Sequence, residues 1–142
     1  MKGNDLKHSC AVLIVLALSV SFAGCDDRES VQQLAKLRQI AADMPLYPGF
    51  NQIRLSDNNK IGDAILTIYY RSPASYDAVK DFYSRELVSK GWSGPKAEEF
   101  GFRGHRELTF SRGEYHLSIE SPGADESSSW NYAISYQWKT PQ

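Results

Sequence analysis

The segment 130–138 alternates strictly between large apolar side chains and small or polar ones. This two-residue period is typical of a β-strand with one buried face. The apolar positions are Trp130, Tyr132, Ile134, Tyr136 and Trp138. Such a strand needs a sheet whose apolar face is covered, so the pattern predicts layers of sheet and helix. We expect the two terminal tryptophans, Trp130 and Trp138, to stay exposed at the rim of the core.

Four other segments have strand character, and turn residues join them as two hairpins. The segments are 50–56, 63–71, 106–111 and 114–120. Segment 63–71 is apolar on both faces, which is typical of a central strand. In the second hairpin, the outward side chains are predicted to be Glu107, Thr109, His116 and Ser118.

Two segments have the 3.6-residue period of an amphipathic helix. Residues 29–44 form the first, which Pro45 ends, and residues 75–90 form the main helix, with Ser72 or Ser75 as its cap. Segments 93–105 and 121–129 are polar and are predicted to be loops, with a short strand near Phe100 as an alternative in the first. The sequence therefore predicts an α+β fold of order α-β-β-α-β-β-β. Its antiparallel sheet has about five strands, with the main helix across one face and a further N-terminal helix.

The N-terminus has the three parts of a secretory signal. Lys2 and Lys7 precede an uncharged apolar run, residues 10–22, and two small residues follow it. The run has 13 residues, against roughly 20 for a membrane-spanning helix. An uncleaved membrane anchor and a signal cut before another residue remain as weaker alternatives.

The sequence Phe22-Ala23-Gly24-Cys25 resembles the lipobox of bacterial lipoproteins, although Leu is usual at the position of Phe22. The resemblance implies that a signal peptidase recognises Phe22, Ala23 and Gly24 and cuts before Cys25, whose thiol carries lipid. It divides the chain into a signal peptide (1–24), a lipidated tether (25–30) and one domain (31–142). Asp26 and Asp27 resemble the sorting residues of enteric lipoproteins kept in the inner membrane, which is favoured over the outer membrane. The protein is then expected to face the periplasm.

Composition limits what the exported domain does. Without the first 24 of 142 residues, 118 remain, which is one ordinary domain. The two cysteines are Cys10, inside the signal, and Cys25, so disulfides and thiolate metal sites are excluded. Basic and acidic residues nearly balance, so we expect no nucleic-acid partner.

The segment Phe82-Tyr83, Leu87 and Gly91-Trp92, preceded by Tyr47-Pro48-Gly49, forms a second recognisable pattern. It is similar to a signature of small bacterial lipoproteins and exported domains of unknown function. The resemblance covers about residues 45–138. It implies a fold and a location, and it carries over no catalytic residues.

The sequence contains no HExxH or GxSxG motif. Its exported histidines, His105 and His116, are interpreted as surface residues, so we predict no catalytic residue, no metal and no cofactor. The favoured function is a lipid-anchored binding or accessory domain of the bacterial envelope, contacting membrane lipid through Cys25 and an envelope protein or cell-wall component. One alternative is an inhibitor or immunity lipoprotein that blocks an enzyme with loop 93–105 or 121–129. Another is an unrecognised hydrolase that uses His105 or His116 with a carboxylate and a hydroxyl.

Overall fold

The computed structural model describes residues 25–100, 104–123 and 129–140. Within them, two helices and six strands follow the order α1 (Cys25–Ala42), β1 (Asn51–Lys60), β2 (Asp63–Arg71), α2 (Tyr76–Ser89), β3 (Ser93–Phe100), β4 (His105–Arg112), β5 (Tyr115–Ser121) and β6 (Tyr132–Lys139). The strands form one antiparallel sheet of order β1-β2-β6-β5-β4-β3. The predicted α+β class and antiparallel sheet are confirmed.

The sheet has six strands, one more than the sequence predicted. The additional strand is β3, which occupies most of the predicted loop 93–105 and pairs with β4, Ala97 opposite Leu108. Its register shifts between Ser93 and Lys96, around a proline that has no N–H to donate to a ladder. Polar, glycine-containing and proline-containing sequence is tolerated here because β3 is an edge strand.

Several element boundaries also differ from the sequence prediction. Strand β1 continues to Lys60, so the connection to β2 is only Ile61-Gly62, with Gly62 at a φ of 75°. A glycine adopts this left-handed conformation without strain. Helix α1 begins at Cys25, so the segment 25–30 that was predicted as a tether is helical. Helix α2 is close to its prediction, and of the two candidate caps Ser75 is the one that accepts a hydrogen bond from the backbone N–H of Ala78.

Both helices pack on the same face of the sheet and share one hydrophobic core. Helix α1 contributes Leu34, Leu37 and Ile40, and α2 contributes Tyr76, Val79, Tyr83 and Leu87. The prediction of one main helix across the face is therefore corrected to two helices that share it. Six strands span roughly 24 Å from first to last, about twice the width of a helix with its side chains, so a single helix leaves part of the apolar face uncovered.

The two tryptophans that were expected at the rim occupy different environments. Trp138 is 1% exposed and lies opposite Ala64 and Tyr115, both buried, so the prediction of exposure is wrong there. Helix α1 covers this end of the sheet, because its Ser30 side chain bonds the carbonyl of Lys60. The exposure of the second tryptophan, Trp130, is intermediate.

Trp130 is not part of the alternating strand. The ladder with β2 begins at Tyr132 opposite Tyr70, and the side chain of Asn131 bonds the backbone of Ser72 instead. The indole of Trp130 contacts the ring of Tyr69 edge-on, at 5.1 Å between centroids. Tyr69 points away from the core, so Trp130 lies on the opposite face from the one predicted.

Candidate functional site

The face of the sheet opposite the helices carries a half-open groove of about 670 Å³. Its lining side chains come from strands β2, β3, β4, β5 and β6. This volume lies within the range of small-molecule sites. The outward orientation predicted for Glu107, Thr109, His116 and Ser118 is confirmed, since all four line this groove.

A row of hydroxyl side chains crosses the middle of the open face. Thr109 lies opposite Ser118, Ser118 opposite Ser135, and Ser135 opposite Thr67, on four consecutive strands. We call these four residues the hydroxyl row. The Oγ atoms of Thr67 and Ser135 are 3.0 Å apart. Because neighbouring strands are about 4.8 Å apart, the row presents hydrogen-bond donors and acceptors at regular intervals.

Two glutamates lie side by side at one end of the groove. Glu107 on β4 is directly opposite Glu120 on β5, and Glu98 on β3 is opposite Glu107. Burial, followed by the negative charge of Glu107, raises the pKa of Glu120, which the charge of His105 and a hydrogen bond with Ser118 partly offset. A half-buried carboxyl with a raised pKa in a groove is a recognised sign of a functional site.

The other end of the groove is neutral to basic. His116 and Gln137 lie opposite one another there, and Lys139 follows on β6. The amide of Gln137 donates to the carboxylate of Asp63 at 3.2 Å. The groove thus runs from an acid-rich end to an amide- and lysine-rich end, with the hydroxyl row between them.

An aromatic pair adjoins the groove near its acidic end. Tyr69 lies opposite Ala133, which in turn lies opposite Glu120. The guanidinium of Arg54 sits over the ring of Tyr69, 4.1 Å from its centroid, and Trp130 contacts the same ring. Tyr69, Trp130 and Arg54 therefore form a cluster of two aromatic rings and one guanidinium beside the polar groups of the groove.

The two histidines occupy different positions. His116 and Glu120 are four residues apart along β5, a separation of about 13 Å, too long for an acid–base pair in direct contact. His105 lies on the same side of β4 as Glu107, two residues away. Over the residues that the structure describes, no group of three or more His, Cys, Asp or Glu side chains is placed to hold a metal ion.

The predicted lipidation and sorting residues lie at one end of α1. Cys25 is the first residue of the helix, with Asp26 and Asp27 in its first turn. Phe22, Ala23 and Gly24 lie outside the described residues, as does 124–128 of the predicted loop 121–129. Neither described helix is long and apolar enough to cross a membrane.

Sequence reasoning placed four groove side chains on an outward face but did not assemble the site. The groove depends on β6 lying between β2 and β5, which brings Ser135 and Gln137 beside Ser118 and His116. The available signal was the run of small and polar residues between the aromatic positions of 130–138. Comparison with protein-family models, with curated proteins and with solved structures finds no match for this chain.

Proposed function

We propose that this protein is a lipid-anchored component of the bacterial envelope that binds a cell-wall component in the groove on the open face of its sheet, without catalysing a reaction. The observation that carries the proposal is the asymmetry of the sheet. Both helices cover one face, while the other carries a groove lined by hydroxyl, amide, imidazole and carboxylate groups.

The chemistry of the groove favours a hydroxylated, extended ligand such as a glycan strand. The hydroxyl row and Gln137 donate and accept hydrogen bonds at regular spacing along the open face. Glu107 and Glu120 accept hydrogen bonds from sugar hydroxyl or amide groups when ionised. Trp130, which is only partly buried beside Tyr69, supplies the aromatic ring against which a sugar ring stacks.

The anchor places this groove near a membrane. The lipobox resemblance puts diacylglycerol on Cys25, and buried acyl chains hold the protein at the bilayer with roughly 0.8 kcal/mol for each methylene. Because α1 begins at Cys25, little flexible chain separates the lipid from the domain. Asp26 and Asp27 support retention in the inner membrane, facing the periplasm.

The geometry disfavours one part of each alternative function. A blocking loop at 93–105 is disfavoured because residues 93–100 pair with β4 as a strand. A hydrolase built on His116 is disfavoured because Glu120, on the same strand, is four residues away. His105 lies on the same side of β4 as Glu107 and stays the candidate base of that alternative.

The binding proposal is tested by filling the groove. Ser118 lies at the centre of the hydroxyl row, so Ser118→Phe should reduce co-sedimentation with purified peptidoglycan sacculi at least tenfold. Ser56→Phe is the matched control, because Ser56 is exposed on the edge strand β1 and does not line the groove. Gln137→Ala, which removes a polar contact without adding bulk, should weaken binding in the same direction.

Circular dichroism establishes that each variant is folded. Sacculi that fail to retain the wild-type protein, or that retain Ser118→Phe and the control equally, would refute the proposed ligand. The anchor is tested separately, by incorporation of radiolabelled palmitate into wild-type protein and its loss in Cys25→Ser.

A further inference from the structure

The start of α1 is fastened to the tip of the β1–β2 hairpin. The hydroxyl of Ser30, a residue only 1% exposed, donates to the carbonyl of Lys60 at 2.6 Å. Lys60 is the last residue of β1, and Ile61-Gly62 is the turn that follows it. Val31 follows Ser30 and Ile61 follows Lys60, so both residues lie at the same corner of the domain. We call Val31 and Ile61 the hairpin corner.

The hairpin corner is unusually apolar for an exposed position. Ile61 is 69% exposed and Val31 is 55% exposed, the two highest values for large hydrophobic side chains among the described residues. A two-residue hairpin turn ordinarily carries small or polar residues. A side chain as exposed as that of Ile61 contributes little to the core.

The candidate lipid attachment point lies at the same corner. Cys25 precedes Ser30 by five residues in one continuous helix, which corresponds to about 8 Å along the helix axis. Because the bond between Ser30 and Lys60 fixes the helix to the hairpin, a lipid on Cys25 brings the hairpin tip to the bilayer with it.

We propose that the hairpin corner is a membrane-contact surface, where Ile61 and Val31 enter the boundary between lipid headgroups and acyl chains. This inference rests on the proposed lipidation of Cys25. The occupant is a phospholipid bilayer, because α1 begins at Cys25 beside this corner and a lipid on Cys25 would hold the bilayer against it. Arg28, Lys60 and Lys139 lie close in the fold to acidic Glu29 and Asp63, so apolar contact rather than net charge is the basis of the interaction.

This orientation also places the groove relative to the membrane. Lys139 pairs with Asp63 beside the hairpin tip, whereas Glu120 pairs with Ala133, six residues before Lys139 on β6. The Lys139 end is thus membrane-proximal, and the Glu107–Glu120 end is about 20 Å farther out. A ligand would meet the acidic end of the groove first when it approaches from the periplasm.

The test uses fluorophores on single cysteines of the lipidated protein. Cys10 leaves with the signal and Cys25 is acylated, so an introduced cysteine is the sole free thiol. Ile61→Cys and Val31→Cys are labelled with a polarity-sensitive dye and reconstituted in phosphatidylethanolamine–phosphatidylglycerol vesicles with brominated acyl chains. Leu46→Cys is the matched control, because Leu46 is 53% exposed and follows the opposite end of α1.

We expect bromine quenching at positions 31 and 61 to be at least twice that at position 46, with blue-shifted emission. Equal quenching at all three positions, in protein that floats with the vesicles, would refute membrane contact at the hairpin corner but not the lipid anchor on Cys25. Protein that carries no palmitate and does not float would refute the lipidation of Cys25. Membrane contact at the hairpin corner would then be refuted too, because it rests on that lipidation.

Discussion

Glu107 and Glu120 face each other across adjacent strands on the open side of the sheet, a pairing of like charges that destabilises a sheet when both carboxyls are ionised. Burial and the charge of Glu107 raise the pKa of Glu120 above its ordinary value of 4.5. The arrangement conflicts with folding stability, and we interpret it as a requirement of the groove.

The first prediction concerns the dependence of stability on pH. Between pH 4.5 and the folded-state pKa of Glu120, the folded chain binds more protons than the unfolded chain, so this group's contribution to stability decreases as pH rises through that window. Glu120→Gln carries no charge at any pH. Its melting temperature should therefore exceed that of wild type at pH 7 and approach it at pH 3.5.

Differential scanning calorimetry of both proteins at the two pH values measures the effect. Glu29→Gln, at an exposed position on α1, is the control and should not reproduce the change. A Glu120→Gln protein that melts below wild type at pH 7 would contradict the proposed cause.

The second prediction concerns helix α1, which the sequence assigned a lesser role than α2. Leu37 is completely buried in the shared core. Leu37→Ala should therefore cost about 2–5 kcal/mol in the free energy of unfolding, through lost burial and the cavity that remains. Urea denaturation checks this, with Val88→Ala at an exposed site of α2 expected to change stability by less than about 0.5 kcal/mol. Equal effects of the two substitutions would contradict the predicted contribution of buried Leu37 to the core.

The third prediction concerns Asn131, whose side-chain oxygen accepts from the N–H of Ser72 at 2.9 Å and whose amide donates to the Ser72 carbonyl at 2.6 Å. Asn131→Ala leaves both backbone groups of a residue only 3% exposed without these bonds, at a cost of about 1–3 kcal/mol. Asn131→Asp should also destabilise, because a carboxylate cannot donate to the carbonyl. Chemical denaturation is the measurement, with exposed Asn58→Ala as control. Full stability of both Asn131 variants would argue against this bridge.

The fourth prediction concerns Gly94, where the edge strand β3 approaches β4. Gly94 has a φ of 131°, and a Cβ there would lie 2.8 Å from the carbonyl oxygen of Thr109. Gly94→Ala should displace β3 and deform the groove, at a cost of about 1–3 kcal/mol. At Gly91, with a φ of 81°, an added Cβ meets no atom within 4 Å, so Gly91→Ala should cost less.

Compared with wild type, Gly94→Ala should show faster amide hydrogen exchange in β3. The increase should be larger in β3 than in β2, because β3 is an edge strand and β2 is paired on both sides. Unchanged protection in β3 would mean that the backbone accommodates the methyl group.

The elements that the sequence predicted best have a strong local pattern. Strand β2 has the predicted bounds, and α2 agrees within one residue, because the alternation of Ala64, Leu66 and Ile68 and the cap at Ser75 are local signals. Strand β3 was missed because its residues have weak strand propensity. Pairing with β4 stabilises the strand in place of that propensity. Trp130 was assigned to the wrong face because its position follows from the contact of Asn131 with Ser72, distant in sequence.

The groove could be anticipated only in part. Alternation along 106–111 and 114–120 placed Glu107, Thr109, His116 and Ser118 outward, as the structure has them. Their combination with Ser135, Gln137 and Lys139 depends on the position of β6 in the middle of the sheet, and local periodicity does not encode the order of strands.

The sequence by itself therefore determined the α+β class, the antiparallel sheet, the core face of its central strands and the outward face of one hairpin, because side-chain period follows directly from backbone geometry. Only the tertiary structure decided the sixth strand, the sharing of one face by two helices and the open groove opposite them. It also decided the attachment of α1 to the hairpin tip through Ser30 and Lys60. These features depend on contacts between residues far apart in the chain, whose stability arises when the sheet assembles and buries one face.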